Sequence, residues 1–200
     1  RRHLVYILRS EKAMPRKEAN SKAAELMKHP DSTRKLIWQS GVDTYGELRI
    51  CSFTTAKEHL LFWSHYGDSH QGMCLEFDSR SVPINFARRV VYQEDYPTAQ
   101  FPAPANERSS NPALFKSPAW QYEQEHRIIF TPGSTVEAPN DGQSLYMEKS
   151  ALTAIYFGAN AKDSDKDRVL SFLKKGDFEP NIYDAELAKS TFSVRFRRRR

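Results

Sequence analysis

The densest run of chemically capable side chains is Trp120-Gln121-Tyr122-Glu123-Gln124-Glu125-His126-Arg127, leading into Ile128-Ile129-Phe130. With the backbone extended from Glu123, the side chains of Glu123, Glu125 and Arg127 share one strand face. Ile128 and Phe130 then take the opposite, core-facing side. Two carboxylates this close resist ionising together unless a cation intervenes, and Arg127 supplies one. Such a pair can divide labour: one carboxylate positions a sugar hydroxyl and the other acts on an incoming nucleophile. The same spacing also fits a solvated strand face with a Glu–Arg pair.

A second constellation, Trp63-Ser64-His65-Tyr66-Gly67-Asp68-Ser69-His70-Gln71-Gly72, places aromatics, histidines and an acid in a helix-to-strand connection bounded by glycines. It can line a pocket, with Tyr66 or His65 stacked on a planar ring. Equally, Trp63 and Tyr66 can be core anchors and His65 and His70 can satisfy buried backbone groups. The two histidines lack the H-E-x-x-H arrangement of a zinc helix. A third segment, Arg49-Ile50-Cys51-Ser52-Phe53-Thr54-Thr55, can bring the Ser52 hydroxyl to a cleft rim, while Thr54 or Thr55 caps the following helix.

These residues need elements to hold them. Helical pattern covers 16–39, interrupted by Pro30 before a short piece from Thr33 to Gln39. Strands are expected at Leu48–Phe53, Gly72–Asp78, Arg88–Gln93, Glu125–Thr131, Leu145–Glu148, Thr153–Phe157, Asn181–Ala185 and Thr191–Phe196. Within Gly72–Asp78, Met73, Leu75 and Phe77 alternate against Cys74 and Glu76. Helices are expected at Thr55–Tyr66, with Gly67 as its stop, and at Asp163–Lys174, capped and stopped at Gly176. A short helix is expected at Ala113–Phe115, continuing through Ala119–Tyr122. Pro97, Pro102, Pro104 and Pro112 mark a long loop, and Pro132-Gly133-Ser134 a turn. Strands and helices do not alternate strictly, so the fold class is α+β, one domain with a mixed or antiparallel sheet. The expected organisation is a helical N-terminal segment at 1–46, a core domain at 47–196 and a basic tail at 197–200.

The formal net charge of +5 arises locally. Residues 195–200 hold five arginines and no acid, and the remainder carries 25 basic and 25 acidic residues. An evenly basic nucleic-acid groove is thereby disfavoured, and the tail is expected to continue the last strand. No apolar run approaches the roughly 20 residues of a membrane helix, so no membrane partner is expected. The stretch Arg1–Arg9 is too short in apolar residues for a signal peptide, and residues upstream of Arg1 are expected to be missing. Cys51 and Cys74 read as two reduced, buried thiols of a cytoplasmic protein, with no zinc spacing.

Cys51-Ser52-Phe53-Thr54, Leu61-Phe62-Trp63-Ser64-His65-Tyr66-Gly67-Asp68, His70-Gln71-Gly72-Met73-Cys74-Leu75-Glu76-Phe77, Val90-Val91-Tyr92, Lys116, Trp120–Arg127 and Ile155-Tyr156-Phe157-Gly158 follow in order. Together they resemble the bacterial domain of unknown function family twenty-nine seventy-one over about residues 47–196. That family's opening Tyr-rich strand and N-D-P-F-[DE] motif are not visible. A weaker resemblance is to ADP-ribosyltransferases. It rests on Ser52-Phe53-Thr54, on Glu123-Gln124-Glu125 and on the following Ile128-Ile129-Phe130-Thr131-Pro132-Gly133-Ser134. That resemblance implies NAD as substrate, with Glu125 bonding the nicotinamide-ribose hydroxyl and steadying an oxocarbenium-like transition state. Glu123 would orient or deprotonate the acceptor, and Tyr66 or His65 would stack on nicotinamide. No residue matches the Arg or His that holds NAD in those enzymes.

The leading expectation is an ADP-ribosyltransferase-like, NAD-using effector of a bacterial toxin or anti-phage defence system. Its catalytic residues would be Glu125 and Glu123, and its substrate-binding residues Ser52, His65, Tyr66, His70, Trp120 and Arg127. Expected partners are a protein or nucleic-acid acceptor and an antitoxin or defence-system component. The alternative is a non-enzymatic nucleic-acid- or protein-interaction module working through the Arg tail and the Pro-rich loop. A metal-dependent nuclease using Asp68, Lys116, Glu123 and Glu125 ranks last.

Overall fold

The computed structural model describes residues 1–10, 12–46, 48–97, 112–130 and 143–199. Three helices come first: α1 (Arg2–Ser10), α2 (Arg16–Leu26) and α3 (Pro30–Tyr45). α1 is an addition to the expected elements. Leu4, Ile7 and Leu8 recur at helical spacing and are buried. Leu4 and Leu8 pack with Ala19 and Ala23 of α2, whose small side chains let the helices approach closely. Pro30 opens α3 instead of ending a helix, since the first helical position needs no N–H donor. α3 then runs to Tyr45, well past the expected Gln39.

Two sheets follow. In the first, β6 (Glu125–Phe130) lies between β1 (Arg49–Thr54) and β3 (Arg88–Arg89), antiparallel to both. The register sets Ser52 opposite Arg127 and Thr54 opposite Glu125. Ile128 and Phe130 are buried, as the alternation predicts. The second sheet has the order β2 (Met73–Phe77), β7 (Leu152–Phe157), β8 (Asn181–Leu187), β9 (Val194–Arg198). β7 pairs antiparallel with β2 and parallel with β8, so the sheet is mixed. α5 (Asp163–Gly176) makes the parallel crossover and covers one face, where Ile155, Phe157 and Leu173 meet. Against the other face lies α4 (Leu60–His65), whose Trp63 packs with Ala154, Tyr156, Ala185 and Val194. A small parallel pair, β4 (Val91–Tyr92) with β5 (Phe115–Lys116), completes the α+β layout.

Several expectations need correction. The helix expected from Thr55 begins only at Leu60, because the chain before it is held otherwise. The Trp63 indole N–H donates to the Lys57 carbonyl at 2.8 Å, and Lys57 reaches Glu76 and the Tyr156 hydroxyl. Arg88–Gln93 is split into β3 and β4 around buried Val90, whose N–H donates to the Glu125 carbonyl at 2.9 Å. Leu145–Glu148 is not a strand and has a single bridge at Leu145. In β2 the half-buried side belongs to Cys74 and Glu76, drawn in by the Trp63 cluster and by Lys57, while Met73 and Leu75 are exposed. Asp163 makes no cap: Lys162 holds that position, without a side-chain cap bond, and at the other end Asp177, not Gly176, takes the left-handed φ of 57°. Both cysteines are free, but Cys51 is exposed, not buried. Most of the Pro-rich loop, 98–111, and the turn Pro132-Gly133-Ser134 lie outside the described residues. Among the described residues no helix is long and apolar enough to cross a membrane.

Candidate functional site: a lysine between two buried glutamates

Glu123 is not in the strand with Glu125. It ends a 3-10 helix, Pro118–Glu123, whose start is set by Pro118 and by the Ser117 hydroxyl accepting from the Ala119 N–H. Gln124 then takes a left-handed conformation, φ 46°, and β6 begins at Glu125. That one-residue reversal, with no strand alternation, brings both carboxylates to one place. Two bonds fix the reversal: the Thr54 hydroxyl donates to the Glu123 carbonyl at 2.6 Å, and the Glu125 N–H donates to the Tyr92 hydroxyl at 2.9 Å.

Lys116, on β5, occupies the space between the two acids. Its ammonium group is bonded to Glu123 and stands 3.1 Å from Glu125. Arg127 binds both oxygens of Glu125, at 2.7 and 2.9 Å, and its remaining arm reaches the Ala113 carbonyl. Both acids are almost fully covered: the side chains of Glu123 and Glu125 are 3% and 6% exposed. Burial pushes the Glu125 carboxyl upward, but Arg127, Ser52 and Lys116 together outweigh it and hold it at about 2. Burial likewise pushes Lys116 down, and the bonds to Glu123 and Glu125 raise it above the ordinary lysine value. Glu125 and Lys116 are thus both ionised at neutral pH.

Aromatic groups roof this centre. The Tyr66 hydroxyl, just beyond α4, donates to Glu123 at 2.7 Å, while Tyr66 as a whole remains 60% exposed. That bond, then burial and the Glu123 charge, push Tyr66 up to about 12. Trp120 is exposed on one side, with the Lys116 ammonium 4.9 Å from its ring centre. His65 lies 3.1 Å from the Tyr122 hydroxyl, and His59 stacks on the Tyr122 ring at 5.0 Å.

Of the residues expected to form a site, Glu123, Glu125, Arg127, Ser52, Tyr66, Trp120 and, through Tyr122, His65 come together here. His70 does not join them through any contact among the described residues. It is buried, its ring stacks on Trp63 at 6.4 Å, and its Nε2 lies 3.4 Å from the Ser64 hydroxyl. Asp68, Glu123 and Glu125 do not group for a metal: no set of three or more His, Cys, Asp or Glu among the described residues could hold one. Sequence reasoning left Lys116 out of the lead site and missed Tyr92, Tyr122, Thr54 and His59. Lys116 is brought in by a two-residue strand whose partner, β4, is remote in sequence, and no local pattern announces that pairing.

Residues 62–128 match a family model described as protein of unknown function, DUF2971. The matched stretch contains Tyr66, Lys116, Trp120, Glu123, Glu125 and Arg127, and stops short of the second sheet's β7, β8 and β9. No curated protein and no solved structure gives a significant match.

Proposed function

For a chain whose residues 62–128 match the DUF2971 family model, we propose an enzyme that transfers ADP-ribose from NAD at the Glu123–Lys116–Glu125 centre. One observation carries this reading. Ser52, Tyr66, Glu123 and Glu125, drawn from three separate stretches of sequence, converge on one lysine beneath exposed aromatic rings.

The chemistry assigned is heterolysis of the bond between nicotinamide nitrogen and ribose C1′. The bonding electrons leave with nicotinamide, and a cation develops on the ribose. A carboxylate that stays ionised at neutral pH suits the stabilisation of such a cation, and Glu125 is one. Arg127 and Ser52 are positioning residues that fix its orientation. The acceptor attacks C1′ and gives its proton to Glu123. Tyr66 and Trp120 offer ring faces to nicotinamide, and Lys116 offers a charge to the pyrophosphate. A cytoplasmic toxin or anti-phage effector is the setting we attach to this chemistry, with a protein or nucleic acid as acceptor.

Saturation-transfer NMR with NAD tests the binding half of this reading. Nicotinamide protons are expected to receive saturation from the wild type and to lose it in Tyr66→Ala/Trp120→Ala. No transfer from the wild type would overturn it.

A second reading is favoured by a specific feature: both oxygens of Glu125 and both of Glu123 already have partners within the chain. A centre so satisfied also suits a non-enzymatic interaction module, clamped by a buried ion network with the exposed aromatics as its contact surface. Partner binding abolished by Tyr66→Ala, with no NAD turnover, would favour it.

A further inference from the structure

We propose that the open groove between β9 and the start of α5 binds the phosphate backbone of a single-stranded nucleic acid. This inference does not rest on the NAD reading and concerns a different sheet.

The placement follows from strand alternation. Val194 and Phe196 pack on the Trp63 side of the sheet, so Arg195, Arg197 and Arg199 project to the α5 side. α5 covers Ile155 and Phe157 of β7, and toward β9 that face opens into a cavity of about 1230 Å³. The cavity exceeds the ~300–1,000 Å³ usual for a small-molecule pocket and is open, as a polymer track should be. It is lined by the cations Lys166, Arg197 and Arg199 and by the acids Asp163, Asp184 and Glu186; Arg198 also borders it, with its side chain turned by strand alternation to the Trp63 side.

Each acid has a cation partner within the chain, with Lys166 shared between two of them. Lys166 stands 2.9 Å from Asp184 and 3.9 Å from Asp163, and Arg197 is 3.0 Å from Glu186. Arg198, on the Trp63 side, donates to the side-chain oxygen of Asn181 at 2.6 Å. Arg195 and Arg199 make no ion pair among the described residues. The Arg197–Glu186 pair is exposed on both sides, so it competes weakly with a phosphate. With the rest of the chain balanced at 25 basic and 25 acidic residues, the surplus charge belongs to residues 195–200, and Arg195, Arg197 and Arg199 bring three of its five charges to this face. Arginines two apart on a strand recur every ~7 Å, a row of forked donors for phosphate oxygens.

An acidic peptide adding to the strand edge is less favoured. The outer edge of β9 is already capped at its start, where the Val194 N–H donates to the Glu58 carbonyl at 3.3 Å.

Fluorescence anisotropy with a labelled single-stranded oligonucleotide of mixed sequence tests the proposal on the full chain. Three arginine contacts predict a log–log salt slope of about −2, a weakening of about twentyfold between 50 and 200 mM salt. Arg195→Ala/Arg199→Ala should weaken binding at least about tenfold and cut that slope by about two-thirds. Arg195→Lys/Arg199→Lys, which keeps the charge, should bind within a few fold of wild type, separating lost contacts from a lost fold. No salt-sensitive binding by the wild type, or full binding by the alanine variant, would overturn the proposal. Equal competition by polyglutamate would overturn it in favour of an acidic protein.

Discussion

The Tyr66 hydroxyl and a carboxylate oxygen of Glu123, 57 residues apart in sequence, lie 2.7 Å from each other. The bond disfavours tyrosinate, so Tyr66 should ionise at about 12 and not at the ordinary 10. The difference in absorbance titration between wild type and Tyr66→Phe isolates that group, and Glu123→Gln should bring it back toward 10. The raised value means that the stability this bond supplies is complete below pH 10 and is lost as pH rises through 12.

Glu125 behaves in the opposite sense. Its carboxyl is held at about 2, against an ordinary 4.5, so its contribution is present above pH 4.5 and disappears as pH falls toward 2. A shift of that size corresponds to roughly 3 kcal/mol. Urea midpoints measured from pH 7 down to pH 2 should fall steeply for the wild type and more gently for Glu125→Gln. Parallel curves would show that Glu125 is not held by its cations.

Lys116 neutralises two acids at once, so its loss should be costly. Lys116→Met leaves Glu123 and Glu125 facing each other in a nearly dry site, and roughly 3–5 kcal/mol of stability should be lost. Adding Glu123→Gln should recover a substantial part, because it removes the repulsion. Strict additivity in the double-mutant cycle would show that Lys116 and Glu123 are not coupled.

Gly158 is a packing prediction. A Cβ there would sit 2.1 Å from the His70 carbonyl oxygen and 3.0 Å from that of Gly72. Both obstacles are backbone, and both belong to the turn that carries the left-handed residues Asp68, Ser69 and His70. Gly158→Ala should therefore cost about 2 kcal/mol or more in thermal or urea denaturation. A variant as stable as wild type would show that this turn yields easily.

The α+β class, the β6 core face of Ile128 and Phe130, and the existence of helix α5 are legible in periodicity that acts over a few residues, whereas the caps of α5 are not. The candidate site was legible in its residues but not in its geometry. Extended backbone through Glu123 was the natural reading of E-x-E, because nothing local announces a left-handed Gln124. Tertiary bonds from Thr54 and Tyr92 fix that conformation, and both partners are distant in sequence. α1 falls within the expected helical segment at 1–46 but is not outlined as an element, because basic flanks hide a short stripe of Leu4, Ile7 and Leu8, which becomes readable only once Ala19 and Ala23 lie against it. The apolar neighbours of Cys51 predict burial, yet Ile50, Cys51 and Ser52 of β1 are all exposed.

Nicotinamide release from NAD is the most direct test of the ADP-ribosyl reading, followed by chromatography with the wild type and with Glu125→Gln shown to be folded. Wild type should release nicotinamide, and Glu125→Gln should be slower by about a hundredfold or more, the usual effect of removing one preorganised charge from a transition state. No release by the wild type at saturating NAD, or equal rates for the two proteins, would contradict it.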